Sequence, residues 1–356
     1  LNTPEWVLQA AKPVSEEALK KAQRHQDQLT KPRGALGRLE ELAIRLAALQ
    51  ENPYPTIDPI QITLFAGDHG IAAKGVSAYP QAVTGEMVRN FANGGAAINV
   101  LAEALGANLE IISLGLVNDP GALPGVTRLS LGNSTADFTK APAMGPEQLI
   151  TALDVGCKSV ERAFASGAHL FIGGEMGIGN TTAATALACA LLSEEPEVLT
   201  GPGTGLNSDG VERKSALIRQ ALTHHQVFNT CPAPIEILRT LGGFEIAALV
   251  GGYLACGQNG LPALVDGFIC SVAALIALRI NPSISPWLFF AHQSAEPGHL
   301  RVLAAMDADP LLSLGMRLGE GTGAAIAASL LRSACQLHRS MATFDGAGVT
   351  DDVSDG

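Results

Sequence analysis

A chain of 356 residues that is 47% hydrophobic, 16% charged and only 4% aromatic can bury a large core. Its bulk suits α/β layers of small aliphatic side chains better than a stacking surface for single-stranded nucleic acid. A formal net charge of -11 repels polyanions, which excludes nucleic acid as a partner but not a small anion held by local amides and cations. The N-terminal segment carries Glu5, Lys12, Glu16, Glu17 and Lys20 where a secretory signal needs an apolar run. The most apolar window, 261–280, is broken by Pro262, Asp266, Gly267 and Arg279. No signal or membrane span is therefore expected, and the chain reads as cytoplasmic. Cys157, Cys189, Cys231, Cys256, Cys270 and Cys335 are scattered, with no C-x-x-C pair and no histidines at zinc-ligand spacing, so reduced cysteines and no metal are expected.

In chain order, Ser15 caps a helix expected over 15–29, and Leu36, Leu39, Leu42, Leu46 and Leu49 recur at helical steps on a second. Between them, residues 31–38 hold three cations among Gly and Pro, either a turn or a basic loop facing an anion. Pro53, Pro55 and Pro59 mark a boundary. From Ile60 the pattern changes to short apolar strands, each ending in small or functional residues. Strand 60–66 runs into Gly67-Asp68-His69-Gly70, 109–114 into Gly115, and 169–172 into Gly173-Gly174-Glu175. Strand 263–265 runs into Asp266-Gly267, and 287–290 into Ala291-His292. Five strands separated by helical stretches predict an α/β fold: a mostly parallel, Rossmann-like sheet with helices on both faces. Ligands then collect where the strands end. A C-terminal helix over 324–341 is expected to return to the N-terminal helices. That makes a small helical domain of 1–54 with 324–356 beside a large catalytic domain of 55–323. The tail 345–356, rich in Gly and Asp, is expected to fray.

Two motifs carry chemistry. Gly319-Glu320-Gly321-Thr322-Gly323 sets one carboxylate among glycines before an Ala-rich helical run. Glu320 is there either a working acid or base or an ordinary first-turn carboxylate favoured by the helix dipole. Gly173 to Thr182 leads from a strand into a helix, and from Gly174 to Thr181 it has the spacing of a phosphate-binding loop with Asn180 where the lysine belongs. Losing that lysine argues against a nucleoside triphosphatase. The turn can still offer N–H groups and a helix N-terminus to a phosphate monoester through Gly177, Gly179, Asn180 and Thr181, or it is a structural turn. A carboxylate beside a phosphate, here Glu175, costs repulsion unless it meets a sugar hydroxyl or a cationic ring. That points to a phosphorylated sugar bearing such a ring. A third Gly-rich loop, 201–206, contains Gly203 and precedes Lys214, which is either the missing counter-charge or a solvated helix lysine.

Six blocks in register, namely 31–40, 68–70, 75–80, 173–182, 266–268 and 317–323, resemble the nicotinate-nucleotide:dimethylbenzimidazole phosphoribosyltransferase family over about residues 15–340. The resemblance implies transfer of phosphoribose from nicotinate mononucleotide to 5,6-dimethylbenzimidazole, no cofactor or metal, and a homodimer. It also implies that Glu320 removes the benzimidazole N–H proton while the other ring nitrogen attacks C1′ of the ribose. Alkylating one nitrogen leaves a cation unless the other loses its proton, so a carboxylate within hydrogen-bond reach stabilises charge that grows along the reaction. The incoming ring is expected near Tyr79, Pro80, Met87 and Leu318, a region that varies with the preferred base. Pro202 departs from the more polar residue expected there, which puts a side-chain contact from that loop in doubt. Asp68 and Asp266 either touch ribose hydroxyls or cap loops. His69 has no neighbours at the spacing of a nucleophilic triad.

Overall fold

A computed structural model describes residues 3–351; residues 1–2 and 352–356 of the two expected terminal segments lie outside them. Ser15 caps the first helix, Glu16–Gln28, its hydroxyl oxygen accepting the Ala18 N–H at 3.2 Å. The second, Arg38–Gln50, buries Leu42, Leu46 and Leu49. Between them the basic segment turns on the protein itself: Lys31 pairs with Glu40 at 2.8 Å, both nearly buried. Arg38 donates to the carbonyls of Asp309 and Pro310.

Six strands form one parallel sheet: β1 (Ile60–Gly67), β2 (Asn108–Gly115), β3 (Val126–Arg128), β4 (Leu170–Met176), β5 (Ala263–Val265) and β6 (Leu288–Phe290). Their order is β3-β2-β1-β4-β5-β6, so the chain builds outward from β1 in one direction and then from β4 in the other. Every residue of β1 is buried, as expected for a central parallel strand covered on both faces. Side chains alternate between two cores. Phe65, Phe171 and Val265 join the helices Pro146–Ala165, Phe244–Asn259 and Phe268–Ile280 on one face. Ile62, Leu64, Ile172 and Leu264 join Leu42, Leu46, Ala324 and Leu331 on the other. Each such aliphatic side chain contributes on the order of 2 kcal/mol by leaving water. The terminal helices thus share a core with the sheet, and Thr322–Ser340 packs on Arg38–Gln50.

Three expectations need correction. The edge strand β3 is absent from the sequence reading because it is three residues long and mostly exposed, with no apolar run to mark it. Strand β4 does not stop at Ile172 but continues to Met176, because its glycines serve close packing rather than a turn. A Cβ on Gly174 would lie 2.6 Å from the Glu320 carbonyl oxygen. The tail expected to fray from residue 345 does not do so at once: Thr343 caps a short helix, Phe344–Ala347. Among the described residues no helix is long and apolar enough to cross a membrane.

Candidate active site

The strand order reverses between β1 and β4, and their carboxyl ends frame a crevice of the kind in which open α/β sheets bind ligands. A cavity of about 270 Å³ opens there, lined by Tyr79, Glu175, Asn180, Thr181, Gly203, His292, Glu296, Arg317 and Leu318 among others. A wider groove of about 750 Å³ runs along the helix Ser208–His224 past Arg219 and His224. It lies away from the strand ends and gathers no cluster of buried polar groups, so the chemistry belongs to the smaller cavity.

At one end of that cavity the chain leaves β4 through Gly177-Ile178-Gly179 into the helix Asn180–Leu192. Gly179 takes φ +98° as the cap residue, a conformation that side chains resist. The helix starts at Asn180, earlier than its Ala-rich run indicates, so Asn180 and Thr181 stand in its first turn. Lys214 comes up from behind. It is fully buried, and its ammonium donates to Thr181 Oγ1 at 2.9 Å and to the Gly201 carbonyl at 3.3 Å. A solvated helix lysine is therefore not what the fold makes of it. Burial lowers its pKa to about 8, with the Glu296 charge opposing. This end combines Gly-rich backbone, a helix N-terminus and two cations, Lys214 and the cavity-lining Arg317, against the one nearby carboxylate of Glu296, a combination that favours an anion.

At the other end, Gly319, Glu320 and Gly321 have φ of +85°, +62° and +80°. A non-glycine residue held in the left-handed region costs about 1 kcal/mol or more and marks a place that the surroundings over-determine. Glu320 is 5% exposed. Its Oε2 meets no hydrogen-bonding group of the described residues. Burial, and then the neighbouring Asp266 charge, raise its pKa to about 7. The helix Thr322–Ser340 does not need Glu320 as a cap, because Asp266 does that work: its two oxygens accept from Gly321 N–H at 3.2 Å and Ala324 N–H at 2.8 Å. Of the two readings of Asp266, capping is the one with visible contacts. The residue lies beneath the loop, 1% exposed, rather than on the cavity wall.

Glu175 lies between the two ends, accepting from the Asn180 side-chain amide. Burial first, then the charges of Glu245, Asp266 and Glu320, lift its pKa well above the usual carboxylate range. Beneath the floor, His69 and Glu245 form a fully buried pair at 2.5 Å, and Asp68 accepts the Val117 N–H at 2.9 Å.

Of the residues singled out in the sequence, Tyr79, Glu175, Gly177, Asn180, Thr181, Gly203 and Leu318 line the cavity. Gly179 and Lys214 stand behind its wall. Glu320 lies directly after the lining residues Leu318 and Gly319. Pro80 is exposed, and Met87 packs partly buried against a core cluster rather than on the wall. Sequence reasoning missed Ser294 and Glu296, which line the cavity just beyond the marked strand end at His292. It also missed Glu245, whose signal was a lone carboxylate in an otherwise apolar helix.

A family model described as phosphoribosyltransferase matches residues 11–349. The nicotinate-nucleotide–dimethylbenzimidazole phosphoribosyltransferase of Pseudomonas aeruginosa (strain LESB58) is 58% identical over 347 residues, 98% of each chain. The protein of that name from Azotobacter vinelandii is 59% identical over 348 residues, again 98% of each. A crystal structure of the phosphoribosyltransferase of that name from Thermus thermophilus matches with a TM-score of 0.88 at 42% identity, covering 95% of this chain and 99% of that one. The chain belongs to the nicotinate-nucleotide–dimethylbenzimidazole phosphoribosyltransferase family.

Proposed function

We propose that the protein transfers phosphoribose from nicotinate mononucleotide to 5,6-dimethylbenzimidazole, giving nicotinate and α-ribazole 5′-phosphate for the nucleotide loop of cobalamin. One observation carries this reading: a strained, buried carboxylate with a pKa near 7 directly follows the cavity-lining residues Leu318 and Gly319, and a buried lysine bonded to the lining Thr181 stands behind the same cavity at a Gly-rich helix start.

In this reading Gly177, Gly179, Asn180, Thr181 and Gly203, backed by Lys214, hold the 5′-phosphate, and Glu175 faces the sugar and its cationic ring. The acceptor ring lies against Tyr79 and Leu318, with Pro80 and Met87 supporting that wall. One acceptor nitrogen attacks C1′. The C1′–N bond to the pyridinium ring breaks with its electron pair going to that ring, and Glu320 takes the proton from the second acceptor nitrogen. Attack opposite the leaving ring inverts C1′, turning a β-linked donor into an α-linked product. A base with a pKa near 7 is half ionised at neutral pH and matched to this transfer.

Tyr79 and Leu318 are 54% and 59% exposed, so the acceptor wall is open, and this favours a second reading: the same chemistry on another benzimidazole, a purine or a phenol. A homodimer acting in the cytoplasm, and a small helical unit of 1–54 with 324–356 beside 55–323, complete the proposal. Incubation with nicotinate mononucleotide and a panel of azoles and phenols tests it. Free nicotinate and an α-nucleotide are expected, with the favoured acceptor ranked by competition; no product from any acceptor would contradict the reading.

A further inference from the structure

The loop 201–206 supplies both Gly203 and Thr204 to the cavity lining, and Thr204 also reaches across to a second loop. Thr204 Oγ1 lies 2.9 Å from Ser77 Oγ and accepts the Ala78 N–H at 3.3 Å. Ser77 Oγ in turn accepts the N–H of Tyr79 at 3.2 Å, and Tyr79 lines the cavity. A short chain of hydrogen bonds therefore runs from the loop at the anion end to the backbone that carries an aromatic wall residue. On its other side the same loop is tied to the segment of Glu320, since Arg317 donates to the Gly203 carbonyl at 2.8 Å. From below, Lys214 holds the Gly201 carbonyl. The loop is fastened on three sides, and its glycines leave it free to adjust only as far as those ties permit.

We propose that Thr204 is a positioning residue that fastens the loop 77–79, on the acceptor side, to the loop 201–206 beside the donor phosphate, so that filling the phosphate end steadies the acceptor wall. The proposal rests on the assignment of that end to the donor phosphate. Thr204 acts through its hydroxyl and through the backbone of Ala78 and Tyr79. The chain's composition supports this division of labour: Pro202 and Gly203 offer no polar side chain, so the hydroxyl of Thr204 is what the loop has with which to reach across the mouth.

The test is steady-state kinetics of the full-length protein with nicotinate mononucleotide and 5,6-dimethylbenzimidazole, comparing wild type, Thr204→Val and Thr204→Ser. Valine keeps the shape and removes the hydroxyl; serine keeps the hydroxyl. Thr204→Val removes both exposed bonds of the hydroxyl and is expected to raise the acceptor KM by about 5-fold, with kcat and the donor KM essentially unchanged. Thr204→Ser is expected to restore the acceptor KM. An unchanged acceptor KM in the valine variant, or equal loss of kcat and both KM values in both variants, would overturn the proposal while leaving the transferase reading in place. A wild type that releases no nicotinate would instead remove the transferase reading, and this proposal with it.

Discussion

The two ends of the cavity face opposite electrostatic problems and meet them by the same physical cause. At the Gly-rich end Lys214 is buried with no carboxylate within ion-pair distance, and loss of solvation, opposed by the Glu296 charge, pulls its pKa down to about 8. Around Glu320, loss of solvation and then the Asp266 charge push its pKa up to about 7. Burial moves both groups toward neutrality, as it must when the charged form loses its water. The difference lies in what relieves them. In the proposed reaction Lys214 would be complemented by an anion that arrives with the donor, and Glu320 by a proton that arrives with the acceptor. The cavity is thus unfinished at both ends until its substrates fill it.

Apart from the loss of Glu320 itself, the largest expected effect comes from removing the cation. Lys214→Met should lower kcat/KM for nicotinate mononucleotide ~10²-fold, because a charge-assisted bond to phosphate is lost. Calorimetric titration with the donor checks this, and unchanged binding would break the comparison at its phosphate end. A smaller effect should follow Asp266→Asn, which turns one of the two caps of Gly321 and Ala324 into a mismatched donor. It should lower kcat about 10-fold and cost about 1 kcal/mol of stability. Because Asp266 is also the neighbouring charge that lifts Glu320, the variant's pH–rate inflection should move to lower pH, which a purely structural cap would not do.

The smallest effect is on stability. The folded pKa of Glu320, about 7, lies above its ordinary value of 4.5. The folded state therefore keeps a proton that the unfolded chain gives up, and stability falls as pH rises from about 4.5 to about 7. Glu320→Gln escapes that loss, so at pH 8 its Tm should exceed the wild-type value by roughly 2 °C or more, with little difference near pH 4.5. Thermal melts at the two pH values read this directly.

Much of the fold was legible because central parallel strands must be apolar on both faces: five runs ending in Gly, Asp, His or Glu were visible as strands. β3 was not, since three residues on an exposed edge carry no periodicity. Gly173 and Gly174 misled in a different way. Glycine reads locally as a turn, but here it lets the Leu249 side chain and the Glu320 backbone approach a strand, which only the tertiary fold can reveal. At the site, the glycines around Glu320 drew attention to it. What the sequence left open was the division of work between the carboxylates. That Asp266 caps the helix, and so leaves Glu320 free of that task, depends on β5 ending beside residue 321. Lys214 was ambiguous for the same reason. A lysine in an amphipathic helix reads as solvated until the facing loop, 201–206, is in place.

The central claim, that Glu320 is the base, is tested most directly by the pH dependence of kcat/KM in wild type and Glu320→Gln, because that ratio reports groups of the unliganded protein. The wild-type rate should rise with pH through an inflection near 7 and then level, since the ionised carboxylate is the active form. The variant should be slower by ~10²-fold or more, lack that inflection, and still bind nicotinate mononucleotide. Equal turnover by the variant, or the same inflection persisting in it, would contradict the assignment.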